Sequence, residues 1–116
     1  KKAGKLIGAL KKINNNVFPA GNIDSLDKYD VIINATPLGL KKSGPLPVDI
    51  NLLKQRLVVC DLIYKNTPLL QKASRKGCKT LNGLGMLLWQ GAFAFELWTG
   101  KKAPVEVMRK ALLSNI

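Results

Sequence analysis

The sequence predicts an α/β fold in which helices flank a parallel sheet. Apolar, β-branched runs recur at "DVIINAT" (Asp30–Thr36) and "LVVCDLIY" (Leu57–Tyr64), and uninterrupted runs of this kind suit strands buried on both faces. Helical patterns alternate with them across short turns, the order that builds a parallel sheet. Each run also ends in polar residues, Asn34-Ala35-Thr36 and Asp61 to Tyr64. In open α/β sheets ligands bind outside the carboxyl ends of the strands, so these two ends are the first functional signal.

The elements follow in chain order. Leu6, Ile7 and Leu10 among lysines give residues 3–12 the spacing of a short amphipathic helix. Val17 to Ala20 is a candidate edge strand, because Pro19 would break a central ladder. Residues 37–47 hold Gly39, Gly44, Pro45 and Pro47 and read as an irregular loop. Thr67-Pro68 opens a helix, the hydroxyl as N-cap and proline at the first helical position. That helix stops near Lys76-Gly77, where glycine serves as terminator. Cys78–Leu81 is a short strand, Asn82 to Gly100 a long apolar helix, and Pro104 starts an amphipathic helix through Leu113.

With 116 residues, 47% hydrophobic and 22% charged, the chain is one folded unit's worth and not a disordered tail. It opens at Lys1 and its first methionine is Met86, so we read it as part of a longer product. Nineteen Lys and Arg against seven Asp and Glu give +12, which favours anionic partners. The lysines are scattered in pairs, a pattern of solvated surface more than of a nucleic-acid stripe. Histidine is absent, removing the commonest general base and metal ligand. Cys60 and Cys78 cannot close a zinc site and carry no paired spacing, which points to a reducing cytoplasm.

"NGLGMLLWQGAFAFELWTG" (Asn82–Gly100) poses the sharpest question. Leu84, Leu87, Leu88, Trp89, Ala92, Phe93, Phe95 and Trp98 leave no clean polar face, so the helix should be buried or in a membrane. Its 16 or so helical residues fall short of the roughly 20 that span hydrocarbon. Burial against a sheet or a second domain is the better reading. A buried Gln90 amide needs a partner, in the protein or in a ligand, since an unsatisfied one costs about 1–3 kcal/mol. Gly83 and Gly85 allow close backbone approach to a ligand, or else a tight turn with positive φ. Asn34-Ala35-Thr36 has the same two readings, a site or a Pro/Gly-shaped turn. Tyr64 is a core phenol or a substrate donor; Asp61 accepts from N–H groups in its loop or acts as a catalyst.

The order of the pieces is more specific than any of them. "DVIINATPLGL", "VVCDLIYKNTPLL" and "NGLGMLLWQGAFAFELWTG", followed by a helix from "PVEVM", together resemble the carboxyl-terminal half of the shikimate dehydrogenase family. The resemblance runs from about Leu6 to Leu113. It implies a partial Rossmann-like parallel sheet, truncated at the amino terminus, with residues 1–116 as the carboxyl-terminal part of an NADP-binding domain. Terminal helices at about 83–99 and 104–115 would return to a substrate domain. The implied activity is NADPH-dependent reduction of 3-dehydroshikimate to shikimate, in aromatic amino-acid biosynthesis.

Carried over by motif, Asn34, Ala35 and Thr36 would lie beside the nicotinamide ribose. Leu62, Gly83 and Met86 would contact the nicotinamide end, and Tyr64 and Gln90 would hydrogen-bond the small-molecule substrate. The family's catalytic lysine–aspartate pair lies in the substrate domain and its diphosphate loop would precede Lys1. This chain alone is therefore expected to be inactive, and to self-associate through the apolar face that the substrate domain would cover. Rival readings are a quinate/shikimate dehydrogenase that also uses NAD, a basic nucleic-acid-binding module, and a standalone scaffold.

Overall fold

The computed structural model describes every residue except Lys1, Ala20, Asn22, Lys42, Ser43 and Ile116, and no side-chain placement is given for Lys2 or Ala3. Among the described residues four helices and three strands follow in the order α1 (Lys2–Lys11), β1 (Val31–Asn34), β2 (Val58–Asp61), α2 (Pro68–Arg75), β3 (Lys79–Leu81), α3 (Leu84–Thr99) and α4 (Val105–Leu113). A short 3-10 turn covers Ile50–Leu52. The strands form one parallel sheet, β1-β2-β3, with Val31 opposite Val58 and Asn34 opposite Asp61. Residues 17–19 form no strand; Ala20, the last residue of that expected strand, lies outside the described residues.

Local chemistry sets the helix limits. Thr67 caps α2, its hydroxyl accepting from Leu70 N–H at 3.4 Å, and Pro68 fills the first helical position. Gly77, at φ 80°, takes the left-handed conformation that ends α2, and Gly100, at φ 65°, does the same for α3. Beyond Gly100 the Glu96 carboxylate accepts from the Ala103 amide at 3.0 Å. That bond spans the turn between α3 and α4 and fixes how the two helices meet.

Among the described residues only one sheet face is covered. Leu26, Leu53, Leu57, Val59, Leu69, Leu70, Ala73 and Cys78 form the buried core on the α2 side, with Ile32 packed against it. On the opposite face the register aligns Val31 with Val58, and Ile33 with Cys60 and Leu81. There Val31, Ile33 and Leu81 are exposed and Cys60 is half-buried. The expected burial of both faces is therefore not met within this chain: the apolar runs hold the residues for a second layer that these elements do not supply.

The long helix corrects a second expectation. Only Leu88 and Ala92 of α3 are buried, while Phe93 is 65% exposed and Leu97 and Trp98 are each 82% exposed. Among the described elements α3 packs against α4 alone, where Gly91 faces the Met108 methyl group. Its apolar surface has no counterpart here. The radius of gyration, 17.1 Å, exceeds the roughly 13 Å of a compact domain of this length.

Candidate functional site

Parallel pairing brings the two polar strand ends side by side. Asn34 and Asp61 are register partners, and both side chains point into the protein, 3% and 1% exposed. The Asn34 amide donates to Asp61 Oδ1 at 3.1 Å and to the Leu38 carbonyl at 3.0 Å. Its Oδ1 accepts from the Thr36 amide at 3.0 Å and from the Thr36 hydroxyl at 2.7 Å. All four hydrogen-bonding positions of that amide are filled. Asn34 thus shapes its loop through its side chain, and Ala35 and Thr36 beside it are exposed.

Asp61 is a buried carboxylate that forms no ion pair among the described residues. Three donors satisfy it: Asn34 Nδ2, the Ile63 amide at 3.1 Å and the Thr67 hydroxyl at 2.7 Å. Of the two roles the sequence left open, N–H acceptor and catalyst, the geometry matches the first. Thr67, itself 2% exposed, therefore serves twice, capping α2 and holding Asp61. This link among Asn34, Asp61 and Thr67 was missed in the sequence, although an aspartate ending a strand six residues before a helix N-cap threonine was its visible trace.

The loop after β2 seats the start of α3. The Gly83 amide donates to the Ile63 carbonyl at 3.0 Å. A Cβ built on Gly83 would stand 2.0 Å from the Leu62 carbonyl oxygen, while Gly83 itself has φ −74°. Close backbone approach, and not positive φ, is what requires glycine at this position. Gly85 has open space around it and φ is not positive. Leu62 and Gly83 are thus brought together, with Met86 three residues on in the first turn of α3. Leu62 is 43% exposed and Met86 49%.

Tyr64 is exposed, with the Lys65 ammonium 5.5 Å from its ring centre, so it is not a core phenol. Gln90 is exposed too, and its side chain makes no hydrogen bond among the described residues. The premise that burial obliges it to find a partner fails within this chain, because the helix that carries it is uncovered. Gln90 sits four residues after Met86, on the same helical face. Among the described residues no cluster of His, Cys, Asp or Glu is placed to hold a metal ion, and no helix is long and apolar enough to cross a membrane.

A parallel sheet whose polar strand ends gather beside a helix start defines part of a Rossmann-like α/β domain. Residues 83–113 match the family model of the "Shikimate 5'-dehydrogenase C-terminal domain". Across 111 residues the chain is 44% identical to shikimate dehydrogenase (NADP(+)) from Methanococcus maripaludis, covering 92% of this chain and 39% of that protein. A crystal structure of a shikimate dehydrogenase in complex with NADP+ superposes with a TM-score of 0.86 at 39% identity, covering 99% of this chain and 43% of the other. One from Thermus thermophilus, in complex with NADP(H) and shikimate, gives 0.75 at 32% identity over 93% of this chain and 41% of the other. The chain is a homologue of the carboxyl-terminal portion of the shikimate dehydrogenases, and it spans about 39% of the length of the curated relatives it matches.

Proposed function

We propose that this chain is the carboxyl-terminal part of an NADP-dependent shikimate dehydrogenase, which reduces 3-dehydroshikimate to shikimate. The observation that carries the reading is the meeting of three pieces at one edge of the sheet. The Asn34–Thr36 loop, the Leu62–Tyr64 loop and the Gly83 helix start are tied together there by hydrogen bonds and a backbone contact. Residues 1–116 form the later part of the NADP-binding domain. The helices at about 83–99 and 104–115 return toward an amino-terminal substrate domain.

The residues present fit the nicotinamide end of the cofactor. Leu62 and Met86 offer exposed apolar atoms to a flat ring, and Gly83 offers backbone alone beside them. Asn34 fixes the loop that presents Ala35 and Thr36 to the ribose. Tyr64 and Gln90, both exposed, hydrogen-bond the hydroxyl and carboxylate groups of the substrate. Bound NADPH supplies the hydride. Asp61 is committed to three donors within the protein, and the sequence contains no histidine. As the family resemblance implies, the proton donor is a lysine of the substrate domain.

The uncovered faces support the same reading. The apolar surface around Trp89 and Phe93, whose rings lie 6.0 Å apart, is where the substrate domain packs. Left bare, it drives self-association. The working environment is the cytoplasm, where free Cys60 and Cys78 stay reduced.

The test is steady-state kinetics on the full gene product with NADPH, NADH, 3-dehydroshikimate and dehydroquinate. The reading expects turnover of 3-dehydroshikimate with NADPH, lowered at least tenfold in kcat/KM by Gln90→Ala or Tyr64→Phe. Preference for dehydroquinate with NADH would assign the chain to a quinate dehydrogenase instead. No turnover with either cofactor would overturn the proposal.

A further inference from the structure

We infer that Asp61 is a positioning residue, a single buried anchor that sets both strand-end loops and the start of α3 as one unit. The inference rests on the reading above for what the unit holds, the nicotinamide end of the cofactor. The wiring itself stands on geometry alone. One carboxylate collects donors from three separate pieces of chain: the Asn34 amide at the end of β1, the Ile63 amide in the following loop, and the Thr67 hydroxyl at the cap of α2.

From each donor the order passes outward. Asn34 hands it to residues 36–38, through Thr36 N–H, the Thr36 hydroxyl and the Leu38 carbonyl; the Leu38 amide in turn donates to the Thr36 hydroxyl at 3.2 Å. Ile63 hands it to α3, because its carbonyl accepts from the Gly83 amide while the Leu62 carbonyl fills the space of a Gly83 side chain. Thr67 ties the whole to α2, whose Leu69, Leu70 and Ala73 are core residues. The exposed candidates Ala35, Thr36, Leu62 and Met86 thus hang from a group 1% exposed. A buried carboxylate without a cation is a poor device for stability alone, since burying charge is costly unless it is fully hydrogen-bonded. Its return is a fixed geometry for segments that would otherwise move separately.

The test uses Asp61→Asn, Thr67→Val and Thr67→Ser in the full gene product, with Leu69→Ala as a control that weakens the core without touching the network. Amide hydrogen exchange is read over residues 34–38, 62–64 and 82–86, and NADPH affinity by fluorescence titration well below the melting temperature. Asp61→Asn and Thr67→Val are expected to speed exchange in all three segments together, at least tenfold, and to weaken NADPH binding at least tenfold. Thr67→Ser, which keeps the hydroxyl, restores both. Leu69→Ala lowers the melting temperature and leaves affinity unchanged. Acceleration confined to one segment, or equal loss of affinity in Leu69→Ala, would overturn the inference. If the wild-type protein binds no NADPH the proposed function fails, and exchange alone then decides whether Asp61 links the segments.

Discussion

Gly83 and Gly85 sit two residues apart at the start of α3, and substituting each by alanine is expected to act in opposite directions. At Gly83 the new Cβ would lie 2.0 Å from the Leu62 carbonyl oxygen, about 1.4 Å inside the 3.4 Å at which ordinary contact begins. The obstacle is backbone, so no rotamer change relieves it. Either the helix start or the Leu62–Ile63 turn must shift, and the 3.0 Å bond from Gly83 N–H to the Ile63 carbonyl goes with it. Overpacking of this kind costs about 1–3 kcal/mol, and the lost hydrogen bond about 1 kcal/mol more. Gly83→Ala should therefore destabilise by about 2–4 kcal/mol. Gly85 meets nothing within 4 Å, and alanine in a helix is favoured over glycine by roughly 0.5–1 kcal/mol. Urea unfolding followed by circular dichroism reads both as midpoint shifts at constant slope. A Gly83→Ala midpoint equal to that of wild type, or one matching Gly85→Ala, would refute the close approach as the reason for glycine.

Further expectations follow from other contacts. The Lys54 hydrogen bond, with help from Ser25, lowers the Asp27 carboxyl below its ordinary range, so the interaction stabilises above the unfolded-state pKa and fades as pH falls through the folded one. Asp27→Asn should remove that acid-side pH dependence, and added salt should weaken it, since the pair is exposed. Burial pushes the Cys78 thiol up, and its Sγ lies 3.2 Å from the Lys54 carbonyl. Thiol titration should therefore find Cys78 silent in the native chain and reactive only in denaturant; native reactivity at Cys78 would contradict its burial. Replacing Phe93 and Trp98 by glutamine should reduce self-association in sedimentation velocity. The unfolding free energy should change by no more than about 0.5 kcal/mol per substitution, as expected of exposed positions.

What the sequence disclosed was governed by short range. Thr67-Pro68 and Lys76-Gly77 marked the ends of α2 because capping is settled within four or five residues, and the strand ends at Asn34 and Asp61 were visible where apolar runs turned polar. Burial was harder to read. "DVIINAT" has the composition of a strand covered twice, yet Val31 and Ile33 lie bare, since composition records the need for a layer and not its presence. The same holds for α3, whose apolar circumference predicted burial that these elements do not provide. Gly83 was ambiguous because a glycine needed for φ and one needed for space look alike in sequence. The Asn34–Asp61 bond joins residues 27 apart, and only the strand register could reveal it.

The α3–α4 pair, braced by the Glu96–Ala103 bond and touching no strand, is mounted on the sheet like an outrigger on a single bracket. That bracket is Gly83, set against the Leu62 carbonyl and hydrogen-bonded to that of Ile63. Sixteen residues give a boom of about 24 Å, so a swing of about 10° at the bracket would sweep the Trp98 end through about 4 Å. Met86, one turn from the pivot, would travel under about 1 Å by the same geometry. The same swing would thus change the spacing between Leu62 and Met86 several times less than it moves the far tip.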